Sequence, residues 1–226
     1  MITKRAGIKR GQVKWSWLNA KHTFSFGSYF DPDWMGFGPL RVINEDIIDA
    51  GRGFDTHPHK DMEIISYIID GELEHKDTLG SRAIISPQQI QIMSAGTGIY
   101  HSEFNPNPNK KTHSLQIWIE PNKLGVKPRY EQYDVEIKDD ELELLISPEG
   151  GDNIASIYQD LRLYHANIED FSYETNPNKK YWIQIISGKG SILSREAQAG
   201  DGFAVEKERS LEMKSSEGMK ILFFEM

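Results

Sequence analysis

The stretch GRGFDTHPHKDMEIISYIIDG, residues 51–71, carries the main evidence for the fold. His57 and His59 are separated by a single residue, and the apolar run IISYII at residues 64–69 follows them before an Asp-Gly turn. Residues i and i+2 of a β-strand point to the same face of the sheet. A strand over this stretch would therefore aim both imidazoles in one direction.

A second stretch repeats this spacing of metal-binding side chains. In AGTGIYHSEFN, residues 95–105, His101 and Glu103 are again one residue apart and follow two glycines. Two such strands facing each other inside a barrel would bring three imidazoles and one carboxylate to a single point. Glutamate is almost never fully buried without a partner, and a metal ion would supply one. The sequence therefore predicts one metal site with His57, His59, His101 and Glu103 as its ligands.

Short β-rich runs separated by Gly, Pro and Asp turns recur along the whole chain, and helical periodicity is scarce. In the first half these runs cover residues 41–43, 63–69, 83–85, 89–93 and 114–119. In the second half they cover residues 141–146, 154–158, 162–167, 181–186, 191–193, 202–205 and 220–225. Many short strands at this spacing predict an all-β protein of the sandwich or jelly-roll barrel type.

The segment PNKLGVKPRY, residues 121–130, is rich in Pro, Gly and charge and predicts a linker. We therefore expect an N-terminal metal-binding domain over residues 1–125 and a C-terminal domain over residues 126–226. The run YIIDGE at residues 67–72 is weakly similar to QIISGK at residues 184–189, which suggests two barrels of one fold. The second copy has no His-x-His pair, so we expect it to hold no metal.

Four short motifs resemble the pirin family of the cupin superfamily. They are HTFSFG at residues 22–27, HPHKDME at residues 57–63, GELEHKD at residues 71–77 and AGTGIYHSE at residues 95–103. The resemblance is close over residues 15–120 and weak beyond residue 125. It implies a bicupin fold with two jelly-roll β-barrels, and the pirin metal ligands fall on His57, His59, His101 and Glu103. It also implies cleavage of a flavonol by O₂, of the quercetin 2,3-dioxygenase type, with Glu103 as the catalytic base.

Imidazole and carboxylate ligands suit Fe, Cu, Ni, Mn or Zn better than Mg or Ca. We expect one divalent ion per chain, with Fe(II) as the first choice for O₂ chemistry. Two other functions remain open at this point. One is a metal-binding regulatory protein that resembles a transcriptional co-regulator and docks on a protein partner. The other is an isomerase or hydrolase whose metal acts only as a Lewis acid.

Composition restricts the partners. The chain has 226 residues and a net charge of −8, which argues against direct nucleic-acid binding because phosphate contacts need clustered Lys and Arg. It has no cysteine, which excludes thiolate ligands and fits a reducing compartment. No apolar run is long enough for a signal peptide or a membrane span. We therefore expect a cytoplasmic protein, and we expect it to be a monomer. The resemblance to the pirin family implies a small aromatic substrate and O₂ as its partners.

Glu63 and the other histidines are not expected to bind the metal. Glu63 is expected to hydrogen-bond a metal ligand, and His75 is expected on an exposed hairpin among charged residues. His113 is expected to be solvated in a polar loop, and His165 to be a core or interface histidine. His22 opens an aromatic segment that is expected to form core or to cover the mouth of a barrel.

Overall fold

The computed structural model describes residues 1–226 and is built almost entirely of β-strands. It contains twenty strands and one short 3-10 turn at Gly7–Lys9. No helix in it is long and apolar enough to cross a membrane. The prediction of an all-β chain is confirmed. The chain forms two compact units, one of residues 11–135 and 149–159, the other of residues 1–10, 136–148 and 160–226.

The first unit contains two antiparallel sheets. Its sheet strands are β2 Gly11–Lys14, β3 Leu18–His22, β4 Leu40–Ile48, β5 Gly53–His59, β6 Glu63–Asp70, β7 Leu73–Asp77, β8 Arg82–Ile85, β9 Gln89–Ser94, β10 Ile99–Phe104, β11 Thr112–Ile119 and β12 Arg129–Asp134. The two-residue strand β14 Ala155–Ser156 also falls within the residues of this unit but belongs to neither of these sheets. The larger sheet has the order β12-β9-β6-β11-β4-β3-β2, and the smaller sheet has the order β5-β10-β7-β8. Both sheets have free edges, so they form a jelly-roll sandwich rather than a closed barrel.

Apolar side chains from both sheets meet between them. This core consists of Leu18, Ala20, Ile48 and Ile68 from the larger sheet and Leu73 and Ile85 from the smaller one. Burying a Leu or Ile side chain stabilises a fold by roughly 1.5–3 kcal/mol. The packing therefore fixes the smaller sheet, which carries the predicted metal ligands, against the larger one.

The second unit is built on one extended sheet. Its strands are β1 Ile2–Arg5, β13 Glu143–Ser147, β15 Arg162–Glu174, β16 Lys180–Ser187, β17 Lys189–Ile192, β18 Arg195–Gln198, β19 Gly202–Glu206 and β20 Ser210–Glu225. The order is β1-β19-β16-β20-β15-β13, and β17 joins β20 to β18. Tyr173, Tyr181 and Phe223 pack together in its core, with ring centroids 5.1–6.2 Å apart.

The compact units differ from the predicted division at residue 125 in three places, one of which is residues 149–159, which belong to the first unit. Residues 1–10 belong to the second unit because β1 pairs with β19, with Ile2 opposite Val205. Residues 129–134, which lie across the end of the predicted linker, form the edge strand β12 beside β9. The Pro, Gly and charge content of residues 121–130 concealed this strand, because an edge strand tolerates polar side chains on its exposed side.

Candidate metal centre

Strands β5 and β10 bring three histidines together. His57 lies opposite His101 in the register of the two strands, and His59 lies opposite Ile99. The ring centroids of His57 and His101 are 4.5 Å apart, those of His57 and His59 are 4.8 Å apart, and those of His59 and His101 are 4.9 Å apart. One candidate nitrogen from each ring lies within 4.8 Å of the others. The same-face spacing predicted from the sequence is therefore present.

The pairing of β5 with β10 is irregular beside this cluster. Between His101 and Glu103 the register shifts, so that Glu103 lies opposite Phe54. A regular antiparallel ladder would place Asp55 there. The carbonyl oxygen of Asp55 instead lies 2.7 Å from Nδ1 of His57. A carbonyl can only accept, so Nδ1 of His57 carries the proton and Nε2 keeps a lone pair for a ligand.

Two other ring nitrogens have no hydrogen-bond partner although they are buried. They are Nε2 of His59 and Nε2 of His101. A buried polar atom without a partner costs roughly 1–3 kcal/mol. Burial, reinforced by His57, lowers the pKa of His59 to about 4, and burial together with neighbouring histidines lowers the pKa of His101. Both rings are therefore neutral at pH 7, which is the form that binds a metal ion.

Glu103 lies beside this trio, on the other side of His101. It is opposite His75 in the pairing of β10 with β7, and the candidate ligand atoms of His75, His101 and Glu103 form a second group within 4.8 Å. Its Oε1 accepts a hydrogen bond of 3.1 Å from Ser66, and its Oε2 accepts one of 2.5 Å from Gln116. Burial raises the pKa of Glu103 above its ordinary value. The four predicted ligands thus lie in two groups that share His101.

His75 was assigned to an exposed hairpin, and that prediction is wrong. Its side chain is fully buried, and its Nε2 lies 2.9 Å from Oδ2 of Asp77. The ring of Tyr130 packs against it, with centroids 4.8 Å apart. The charged neighbours concealed this position, although the alternation of β7 places His75 on the same inward face as the apolar Leu73.

The expected hydrogen bond from Glu63 to a metal ligand is also absent. Oε2 of Glu63 accepts from Ser94 at 2.8 Å, and its Oε1 has no partner. Ser94 in turn accepts from Nε of Arg129, which is on β12. Glu63 therefore belongs to a polar network that holds β12 to β9 and β6, away from the three histidines.

The structure also locates the remaining histidines. His113 is not in a loop but on β11, where its Nε2 lies 2.9 Å from Glu45. His165 is buried on β15, in agreement with a core position. Nδ1 of His22 lies 2.7 Å from Oδ1 of Asn44, on two paired strands of the larger sheet.

A cavity of about 540 Å³ opens onto His57, His59 and Glu103. Its walls include five aromatic side chains, those of Trp15, Trp17, Phe26, Phe54 and Trp118. The polar side chains His22, Asn44, Asp46 and Gln116 also line it. The aromatic segment after His22 was expected to form core or to cover the mouth of a barrel; Phe24 is buried in the core, and Phe26 lines this cavity. Burial, with contributions from Glu103 and Glu45, raises the pKa of Asp46 to about 7.

Comparison with protein families gives matches to both halves of the chain. The Pirin family model matches residues 4–119. The model described as the quercetinase C-terminal cupin domain matches residues 144–226. The second match agrees with the bicupin architecture expected for the whole chain.

Similar proteins match the whole chain or part of it. The Escherichia coli protein named quercetin 2,3-dioxygenase is 40% identical over 229 residues, which span 100% of this chain and 99% of that protein. A Pirin-like protein from Caulobacter vibrioides is 47% identical over 130 residues, or 58% of this chain and 56% of that one. The crystal structure of the bacterial pirin YhhW from E. coli in complex with nickel(II) has 40% identity and a TM-score of 0.95, covering 100% of this chain and 99% of that one. On this evidence the chain belongs to the Pirin family.

Proposed function

We propose that the chain is a metal-dependent dioxygenase that cleaves a flavonol-like substrate with O₂. The observation that carries this proposal is a pair of neutral imidazoles, those of the partly buried His59 and the buried His101, whose buried Nε2 atoms have no protein partner. The similarity of the chain to a protein named quercetin 2,3-dioxygenase supports the reaction class. A nickel(II) complex of a 40% identical pirin supports a divalent metal.

In this proposal His57, His59 and His101 hold the ion through their Nε2 atoms, and Glu103 supplies the fourth ligand. The donor set fits a first-row transition metal, because neutral imidazole and carboxylate are ligands that such ions accept. The hydrogen bond from Nδ1 of His57 to the carbonyl of Asp55 orients that ring, as is usual for metal-binding histidines. Fe(II) is the ion we propose for the reaction, and nickel is the alternative that the E. coli pirin suggests.

When bound, the metal supplies Lewis-acid and redox chemistry toward a substrate hydroxyl group and O₂. Glu103 accepts the proton of that hydroxyl group. Burial raises its pKa and so makes it a stronger base than an exposed glutamate. Ser66 and Gln116 each donate a hydrogen bond to one of its carboxylate oxygens, and they keep the carboxylate on the side of the cluster that faces the larger sheet.

The cavity beside the cluster suits a flat aromatic substrate. Its volume of about 540 Å³ is within the usual range for small-molecule sites, and its walls include five aromatic side chains. Trp118 packs edge-on against His59, with centroids 4.9 Å apart, and its Nε1 donates to Oε1 of Gln116. These contacts let Trp118 and Gln116 position a ring close to Glu103 while they exclude water from it.

Metal-loaded protein tests this function directly. The metal-free protein is reconstituted under anaerobic conditions with Fe(II), Ni(II), Cu(II) or Zn(II), and O₂ uptake is followed after addition of a flavonol. We expect uptake with one or more redox-active ions and none with Zn(II), which has no redox chemistry. An equal rate of O₂ uptake with Zn(II) would indicate that the metal acts only as a Lewis acid. Metal binding without turnover of any flavonol would favour the regulatory protein instead.

A further inference from the structure

A buried row of hydrogen-bonding groups leads from Asp77 through His75 to His101. Oδ2 of Asp77 lies 2.9 Å from Nε2 of His75, and Nδ1 of His75 lies 3.4 Å from Nδ1 of His101. The side chains of His75 and Asp77 are both inaccessible to solvent. The row ends at Nε2 of His101, the buried atom that has no protein partner.

For neutral imidazoles this row has only one arrangement of protons. The carboxylate of Asp77 can only accept, so Nε2 of His75 carries the hydrogen and Nδ1 of His75 becomes an acceptor. The nitrogen that faces this acceptor, Nδ1 of His101, must then be the donor. Nε2 of His101 is left unprotonated, with its lone pair available to an ion held together with His57 and His59.

We propose that Asp77 and His75 are positioning residues that fix the tautomer of His101 and thereby present its Nε2 as a metal donor. This inference rests on the proposed metal centre, but it concerns the proton arrangement of the protein itself. Metal-binding histidines commonly donate their other ring N–H to a carboxylate or a carbonyl group. Here the acceptor is a second imidazole, which is in turn held by a carboxylate.

The strand pairing explains why the row forms. Strand β10 lies between β5 and β7, so His101 is opposite His57 on one side and Asp77 on the other. Asp77 is itself fixed, because its Oδ1 accepts from the backbone N–H groups of Leu79 and Ser81, at 2.8 and 3.0 Å. Those two donors hold Oδ1 in the turn and leave Oδ2 directed at His75.

Asp77→Asn is the most informative variant. Two backbone N–H groups still require an oxygen at the Oδ1 position, so the amide NH₂ replaces Oδ2 and donates to His75. Nε2 of His75 must then accept, its Nδ1 becomes the donor, and His101 is forced to carry its proton on Nε2.

Two variants of His75 test the acceptor directly. His75→Leu removes the acceptor for Nδ1 of His101, whereas His75→Gln offers a carbonyl oxygen in its place. His113→Gln is the matched control, since His113 pairs with Glu45 outside the row.

Two measurements test the inference. In the metal-free protein, long-range ¹H–¹⁵N NMR reports which nitrogen of His101 is protonated. We expect Nδ1–H in the wild type and in His113→Gln, and Nε2–H in Asp77→Asn. Chelator competition with Ni(II) alone should show affinity lower by about 10–100-fold in Asp77→Asn and His75→Leu, with partial recovery in His75→Gln. Circular dichroism verifies that each variant is folded.

The outcomes separate this inference from the proposed function. Protonation of His101 on Nε2 in the wild type, or unchanged Ni(II) affinity in a folded Asp77→Asn variant, would overturn the positioning role. A second bound ion that is lost in His75→Leu would also overturn it, because His75 would then be a ligand. If the wild type shows Nδ1–H but binds no Ni(II), the metal centre is refuted and the tautomer assignment stands.

Discussion

His57 and His101 lie directly opposite each other on β5 and β10, with ring centroids 4.5 Å apart. Because the two rings come from different strands, the cluster depends on a long-range pairing and not on local sequence alone. The paired strands hold the rings in place before any ion binds. This arrangement accounts for the different effects expected from the variants below.

The double variant His57→Ala plus His101→Ala should lose its metal. It removes two of the three imidazoles and leaves His59 alone with Glu103, too few ligands for tight binding. Elemental analysis of purified protein should find about one ion per chain in the wild type and close to none in the variant. Full retention of the ion would refute the assigned ligands.

Glu103→Gln should slow turnover in metal-replete protein. The amide keeps the size of the side chain and one oxygen donor but cannot accept the substrate proton. General-base catalysis is typically worth about 10²–10⁴-fold, so we expect kcat to fall by at least about 100-fold. Metal content must be measured for both proteins, since lost metal would imitate a lost base. Equal rates at equal metal content would exclude the base role.

Gln116→Leu should shift the pH dependence of the reaction. The amide of Gln116 stabilises the ionised form of Glu103, and its hydrogen bond lowers a pKa that burial raises. Removal of this donor raises the pKa of Glu103 further, so the acidic limb of the kcat/KM profile should move to higher pH. Gln132→Leu, on the edge strand β12, provides a comparison that should leave the limb in place.

Asp46→Asn should stabilise the metal-free protein, and more so at pH 8 than at pH 5. Burial raises the pKa of Asp46 from 3.8 to about 7, so between these values the folded state binds more protons than the unfolded state. The wild type therefore loses stability as pH rises through this window, and the loss is complete above pH 7. Urea unfolding should show a gain for the variant of roughly 2–4 kcal/mol at pH 8. A gain that is independent of pH would contradict the raised pKa.

The sequence was sufficient to predict the strand-rich fold and the clustering of the three histidines. The i, i+2 spacing of His57 and His59 predicted that both side chains point to the same face, because alternation along a strand is a local property. The opposition of His57 and His101 needed only the assumption that the two strands face each other. Glu103 was expected at one point with all three histidines, but it lies in a second group of candidate ligands with His75 and His101.

Other features depend on contacts that local patterns do not reveal. His75 has charged residues on both sides, and only the pairing of β7 with β10 shows that it is buried opposite Glu103. Glu63 has the residue type of a ligand, but the larger sheet directs it toward Ser94. The amino-acid composition does not predict the register shift next to Asp55. The carbonyl group of Asp55 contacts Nδ1 of His57 and so leaves Nε2 as the free nitrogen of that ring.

The pairing of β1 with β19 has a consequence for the order in which the chain folds during synthesis. Residues 11–135, which contain the three histidines and their cavity, leave the ribosome well before residues 202–206 exist. Strand β1 therefore has no partner strand until residues 202–206 have been translated. The second unit is completed by a strand that is synthesised before the whole of residues 11–135.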